Sequence, residues 1–508
     1  MTVRIGTPLT FDDVVAVARH DEPVEVTAEA LAAVDRAARH IDDLADDVVP
    51  HYGISTGFGA LASKRVPREQ RVALQHSLIR SHAASTGAEV EREVIRAMML
   101  LRLKTMASGH TGVRREVVLG YAAMLNAGIT PIVGEYGSLG CSGDLAPLAH
   151  AALALTGEGV VRDRAGQRMD AAAALAAAGL EPLTLREKEG LALINGTDGM
   201  LGQLILALAD LHVLVTTADL TAAMTVQALC GIDAVFSPDL QQLRPHAGQA
   251  ASAANILALL AGSPLIQAGK DEAHKRVQDA YSLRCAPQVH GAVRDTMTHA
   301  EHVAGVELVS AVDNPAVTDD LRVESNGNFH GAPVAYVLDF LAIAVADLAS
   351  MSERRTDRML DPARSRGLNA FLADDPGVDS GYMIAQYTQA GIVSELKRLA
   401  VPASVDSIPT SAMQEDHVSM GWSAARKLRR SVDGLGKVLG IEALTAARAI
   451  DLRGLGASAP VNEVVALMRG TLPAPGPDRF LAPDIAEVDR LVATGALVEA
   501  ARGRVELG

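Results

Sequence analysis

The residues of this chain most able to do chemistry lie at 137–148, Gly-Ser-Leu-Gly-Cys-Ser-Gly-Asp-Leu-Ala-Pro-Leu. Three glycines, two serines and a cysteine fall within seven positions, and the apolar run that follows predicts a helix. Glycine at this density costs backbone entropy and is placed where the chain must bend tightly or approach another group closely. The stretch can be an ordinary turn, an anion-cradling loop or a backbone that reacts with itself. It is no Walker loop, because no Gly-Lys-Ser/Thr follows Gly137. It is no nucleophile elbow, because Asp144 stands two residues after Ser142, where glycine is required. In the third reading the Gly143 amide nitrogen closes onto the Cys141 carbonyl carbon in a five-membered ring. Loss of one water from the ring and another from the Ser142 side chain leaves a methylidene imidazolone, an electrophile. Gly143 has no Cβ to block that approach. Ser142 supplies the leaving hydroxyl, and Cys141 contributes only its carbonyl.

Other polar residues interrupt apolar or glycine-rich sequence, where burial without a partner costs about 1–3 kcal/mol each. Tyr52 opens a second glycine-rich stretch at 52–59, which predicts a loop, and His82 follows Ser81 in a helical context. Asn195 breaks Leu-Ala-Leu-Ile-Asn-Gly-Thr. Gln278, Asp279, Tyr281, Arg284 and Gln288 crowd one segment; Asn326, Asn328, Phe329 and His330 crowd another; Gln414, Glu415, Asp416 and His417 stand together. Each has a plainer reading alone. His82 suits a satisfied core or surface histidine, Asn195 a helix cap, Arg284 a structural ion pair, and 414–417 a solvated helix start with an acidic first turn. Their occurrence in one chain beside two glycine-rich loops weakens those readings. No metal site is expected, since H-E-x-x-H is absent and the adjacent Glu415, Asp416 and His417 do not converge on one ion.

Helices must position these groups. Apolar periodicity predicts helices over 91–106, 191–230, 334–354 and 424–448, the last three apolar round much of their circumference, as central bundle helices are. An alanine-rich helix is expected over 171–179, and strands are expected only near 2–6 and 159–164. Prolines 473, 475, 477 and 483 mark a rigid connection to a helical tail. The expected domains are 1–200 with the reactive loop, 201–470 as the helical bundle, and 471–508 as the tail.

Aromatic residues make up only 3 %, while alanine and leucine are abundant, which favours helix over sheet. A net charge of −15 argues against nucleic acid as a partner. Asp210, Asp219, Asp339 and Asp347 interrupt the longest apolar runs, so these are expected inside a bundle and no membrane association is expected. Cys141, Cys230 and Cys285 form no C-x-x-C pair, and the first residues contain no apolar segment of a secretory signal; a cytoplasmic, reducing compartment is expected.

Taken together, the stretches 52–59, 81–83, 137–150, 189–197, 277–291, 313–315, 328–331 and 414–420 resemble the aromatic amino acid lyases, and among them the histidine ammonia-lyases, over nearly the whole chain. The resemblance implies a mainly α fold of fumarase/aspartase-like architecture, with a long central helical bundle and a small α/β-containing N-terminal part. It implies a homotetramer with active sites shared between subunits, and conversion of L-histidine to trans-urocanate and ammonia, the first step of histidine degradation. The cofactor would be 4-methylidene-imidazol-5-one (MIO), a modified dehydroalanine formed autocatalytically from Cys141, Ser142 and Gly143, with no external cofactor. By the same resemblance Tyr52 is the catalytic base, assisted because an ordinary phenol is a weak base at neutral pH, and Tyr281 is also catalytic. Asn195, Gln278 and Asp144 would line the cofactor, and Asn195 the amine as well. Arg284 would clamp the carboxylate in two charge-assisted hydrogen bonds, His82 and Glu415 would hold the imidazole, and Phe329 would wall the pocket. Cys141 stands where alanine is common, and Ser55 and Met413 where asparagine is common. A phenylalanine or tyrosine ammonia-lyase or an aminomutase uses the same cofactor, but a phenyl ring gains nothing from Glu415 and would force its desolvation.

Overall fold

The computed structural model describes residues 2–57, 59–61, 63–271 and 277–508; Phe58 of the glycine-rich stretch at 52–59 lies outside the described residues. The fold is mainly helical. The helix foreseen over 91–106 is Arg92–Ala107, those over 334–354 and 424–448 are Ala332–Leu360 and Gly421–Arg453, and the alanine-rich one is Ala171–Ala177. The run over 191–230 is two helices, Glu189–Ile194 and Asp198–Ala228, because Asn195-Gly196-Thr197 breaks it. The short strands Val3–Ile5 and Val160–Arg162 stand where two were foreseen. The segment 414–417 does not start a helix: it follows the short 3-10 turn Ser411–Met413 and precedes Gly421–Arg453.

The stretches Glu189–Ala228 and Ala332–Leu360 are long and apolar enough to cross a membrane by length and composition, despite their aspartates. Burial rather than charge marks them as core helices, since 78 % and 61 % of their most apolar windows are covered by protein. Small residues let such helices pack tightly. A Cβ on Gly199 would sit 2.6 Å from the Trp422 ring, so glycine is needed for that approach.

The chain divides into two units, each discontinuous in sequence, whereas the domains drawn from the sequence are contiguous. Unit 1 comprises Met1–Leu206, Glu301–Asp339 and Pro402–Arg426. It holds every described strand pair, from the parallel Val3–Ile5 and Val24–Val26 to the antiparallel Thr86–Glu89 and Gly134–Tyr136. Its first helix, Phe11–His20, starts at a reciprocal cap between Thr10 and Asp13, which satisfies amides the helix leaves open. Within Arg92–Ala107 even Arg96 is buried, donating to the carbonyls of Val17 and Leu125.

Unit 2 comprises Ala207–Ala300, Phe340–Val401 and Lys427–Gly508 and is helical throughout its regular structure. Its interior carries a buried polar network. The Arg355 guanidinium donates to both oxygens of Glu442, at 2.5 and 2.8 Å, and Thr221, Thr225 and Ser352 donate to the same carboxylate. Burying such charges is tolerable only because their hydrogen-bonding capacity is met.

Candidate active site

One cavity of unit 1, about 1140 Å³ counted out to its open mouth, is lined by Tyr52, His82, Ser142, Asn195 and Glu415 together with Asn314. Five candidates from remote parts of the sequence therefore share one space.

Ser142 sits on the loop between Gly134–Tyr136 and the helix Leu145–Leu155. The loop is held from several sides. Ser138 Oγ donates to Asp144 Oδ1 at 2.8 Å, Met200 N donates to Asp144 Oδ2 at 2.9 Å, and Asp144 N donates to the Gly196 carbonyl at 2.7 Å. Gly331 N and the Ser419 hydroxyl both donate to the Gly140 carbonyl, at 3.0 and 2.7 Å. Asp144 is fully buried, and burial pushes its pKa up to about 7 against the donors from Met200 and Ser138. Gly143 has φ +83°, and a Cβ there would lie 2.3–2.5 Å from the Gly196 backbone, so only glycine makes this turn.

Glu415 stands over the loop. Its Oε1 accepts from the Ser142 hydroxyl at 3.0 Å, and its Oε2 accepts from Thr410 Oγ1 at 2.9 Å and Cys141 Sγ at 3.4 Å. The bridge between Thr410 and Glu415 fixes the turn that presents the carboxylate. Burial, with the negative Glu415 beside it, pushes the Cys141 thiol up to about 12, so it remains a protonated donor. Cys141 packs with Val418 and Met420.

His82 ends the helix Arg71–His82. Its Nδ1 lies 2.9 Å from the Leu78 carbonyl, which can only accept, so Nδ1 carries the proton and Nε2 is the free acceptor. Burial lowers its pKa, opposed by the Leu78 carbonyl and by Glu415. Tyr52 lies in a turn anchored by Ile54, which is buried among Ala37, Ile41, Ala45 and Val317. Gly59 N donates to the Tyr52 phenol oxygen at 3.2 Å.

Asn195 caps the C-terminus of Glu189–Ile194. Its Nδ2 donates to the Asn314 carbonyl at 2.9 Å, while its buried Oδ1 has no hydrogen-bond partner among the described residues. Asn314 and Thr410 are contacts that the sequence reading gave no role. The only signal for Asn314 was its place in Asp-Asn-Pro at 313–315.

The remaining candidates lie elsewhere. Phe329, in unit 1, is half-buried and does not line the cavity. Gln278, Tyr281 and Arg284 belong to unit 2. There Gln278 is exposed, Tyr281 is 70 % exposed, and the Arg284 guanidinium lies over the Tyr281 ring, 4.8 Å from its centre. Among the described residues no group of three or more His, Cys, Asp or Glu side chains is placed to hold a metal ion.

The chain belongs to the aromatic amino acid lyase family, whose model it matches over residues 9–470. It is 61 % identical over 503 residues to a histidine ammonia-lyase of Streptomyces avermitilis, covering 98 % of each chain. Among solved structures it is similar to the tyrosine aminomutase of Streptomyces globisporus, with TM-score 0.94, 38 % identity and all of both chains covered. It is also similar to the histidine ammonia-lyase of Trypanosoma cruzi, with TM-score 0.91 and 39 % identity over 100 % of this chain and 96 % of that one.

Proposed function

We propose that this chain is a cytoplasmic, homotetrameric histidine ammonia-lyase that converts L-histidine to trans-urocanate and ammonia without oxidation. The observation that carries the reading is the single cavity in which His82 and Glu415, two groups suited to an imidazole, share space with Ser142. The 61 % identity to a relative of that name supports the substrate.

The residues present fit a 4-methylidene-imidazol-5-one made from Cys141, Ser142 and Gly143. The loop turns through a glycine that no side chain could replace, and the buried Asn195 Oδ1 beside it lacks a partner. Asn195, Asp144 and Gln278 would hold the group. It would supply an electrophilic carbon that makes the substrate amine a better leaving group. Tyr52 takes the β-proton at its phenol oxygen, which Gly59 N holds in place. His82 and Glu415 hold the imidazole, whose one N–H donates to the Glu415 carboxylate. Asn195 Oδ1 accepts from the amine. Arg284 pairs with the carboxylate through its fork of donors, and Tyr281 stands with it. The exposure of Gln278 and Tyr281 in unit 2 suits contribution of these residues by a neighbouring copy.

A second reading follows from the tyrosine aminomutase, whose fold is as similar as that of the T. cruzi enzyme. Feeding the purified protein L-histidine, L-phenylalanine and L-tyrosine separates the two. Urocanate is expected to form fastest; faster cinnamate, coumarate or β-amino acid formation overturns histidine as the substrate.

A further inference from the structure

We propose that the buried ion pair of Lys188 and Asp313 positions Asn195, and through it the acceptor that the cavity offers to the substrate amine. The inference rests on the reading of Asn195 given above, and it assigns a role to two residues that do not line the cavity.

The geometry is a closed circuit. Lys188 Nζ lies 2.6 Å from Asp313 Oδ2, and both side chains are wholly buried. The same ammonium donates to the Thr111 carbonyl at 2.7 Å. Lys188 has φ +66° and immediately precedes the helix Glu189–Ile194, which Asn195 ends. Asp313 immediately precedes Asn314, whose carbonyl accepts from Asn195 Nδ2 at 2.9 Å. One ion pair thus ties the start of the helix that carries Asn195 to the residue next to its partner.

The Asn314 side of the circuit is pinned further. Arg102 Nη2 donates to the Val312 carbonyl at 2.7 Å, and Asn326 Nδ2 donates to the Asp313 carbonyl at 3.0 Å. Asn314 Oδ1 accepts from Asn326 N and Ser325 Oγ at 3.0 and 3.1 Å. The direction of the Asn314 carbonyl is therefore set, and it sets the Asn195 amide in turn. Turning that amide over would face Oδ1 with a second acceptor, so Nδ2 stays on the carbonyl and Oδ1 is the atom left without a partner. A buried ion pair stabilises a fold no better than well-packed apolar residues would, because both charges must be desolvated. Its place in this circuit gives it a use that apolar packing lacks, a directional hold on two segments at once.

A double-mutant cycle tests the inference. Steady-state turnover of L-histidine is measured for the parent, Asn195→Ala, Asp313→Asn and the double variant. Intact mass confirms that each has lost two waters. Asp313→Asn is expected to lower kcat about 10- to 100-fold in the parent and by less than about 2-fold in the Asn195→Ala background. Equal losses in the two backgrounds would mean a merely structural role and overturn the inference. If Asp313→Asn does not fold, Lys188→Met with Asp313→Leu replaces the pair by apolar side chains of similar volume. The same loss of kcat is then expected with little change in Tm, and an unchanged kcat overturns the inference. An Asn195→Ala variant as fast as the parent also overturns it. A parent inactive on histidine but active on another amino acid overturns only the substrate reading, and the cycle is then run on that amino acid.

Discussion

The hydroxyl of Ser142 donates to Glu415 Oε1 at 3.0 Å, while Thr410 and Cys141 hold Oε2. Under the proposed maturation that hydroxyl leaves as water, and Glu415 Oε1 loses its donor in the cavity. The carboxylate is thereby freed for an imidazole N–H at the stage when the electrophile has formed. Ser142→Ala removes the hydroxyl without the chemistry. Its intact mass should equal the full sequence mass and its helicity by circular dichroism should match the parent, with turnover abolished. Substantial turnover would refute the self-made cofactor.

Gly143→Ala tests the same loop by sterics. A Cβ 2.3–2.5 Å from the Gly196 backbone, at φ +83°, forces either the loop or the 195–198 turn to move. We expect a chain that folds less stably and retains both waters. A variant that loses two waters as completely as the parent would show that ring closure does not need this backbone.

Glu415→Gln keeps the volume and removes the charge. Three donors converge on this carboxylate, from Ser142, Thr410 and Cys141. Once the Ser142 hydroxyl has left, an amide oxygen in the place of Oε2 still accepts from Thr410 and Cys141, but the amide nitrogen in the place of Oε1 cannot accept from an imidazole N–H. The expected loss is about two orders of magnitude in kcat/KM for L-histidine, the scale for breaking a charge-assisted contact in a water-poor site. Turnover of L-phenylalanine, whose ring has no use for the charge, should fall much less. Equal losses on both substrates would remove Glu415 from ring recognition.

These residues show what the sequence could convey. The reactive loop was legible because its chemistry is written in consecutive positions, Cys141-Ser142-Gly143, and a glycine pattern is local. The long helices were legible from their apolar periodicity. Asn195 was visible as a polar break in an apolar run, yet the direction of its amide depends on Asn314, more than a hundred residues away. The acidic segment 414–417 was read alone as a helix start because charge at a first turn is a helical signal; its pairing with Thr410 takes it out of the helix instead. The roles of Gln278, Tyr281 and Arg284 came from resemblance alone, because isolated polar residues in a stretch of unit 2 carry no local signal of a site.

Tyr52→Phe and Arg284→Ala test the roles of these two residues and the sharing of sites together. Removing the phenol should lower kcat by orders of magnitude with little change in KM, since the proton acceptor is lost while binding groups remain. Removing the guanidinium should chiefly raise KM. Each variant alone should be nearly inactive at low substrate. If Tyr52 and Arg284 of one active site come from different copies, co-expression of the two variants should restore a measurable share of parent activity through mixed assemblies. Absence of any restoration, with mixed assemblies demonstrated by native mass, would reject shared sites.

The last prediction concerns pH and stability. His290 is wholly buried, with Nδ1 2.8 Å from Asp219 Oδ1 and Nε2 facing Arg355 Nη1 at 3.3 Å. The guanidinium can only donate, so Nε2 accepts and Nδ1 carries the single proton. Burial lowers the pKa of His290 below 6.5, with Asp219 opposing and the Arg355 charge assisting. Burial lowers those of His82 and His150 in the same direction. At these histidines the unfolded chain therefore takes up protons before the folded one as pH falls through 6.5. The histidine contribution to stability should be level at pH 7–8 and decline toward pH 5, with a limiting slope of about 1.4 kcal/mol per pH unit for each such proton. Asp144, raised to about 7 by burial, contributes with the opposite sign over the same window, so the histidine part is read from the difference between the parent and His290→Gln. Asp219, whose pKa is also lowered in the fold, loses its contribution only at lower pH and stays outside this window. Urea unfolding at pH 5, 6, 7 and 8 measures the decline. His290→Gln, whose amide can donate to Asp219 and accept from Arg355, should flatten part of it. A stability difference, parent minus His290→Gln, that rises toward pH 5 would contradict the neutral, buried state of His290.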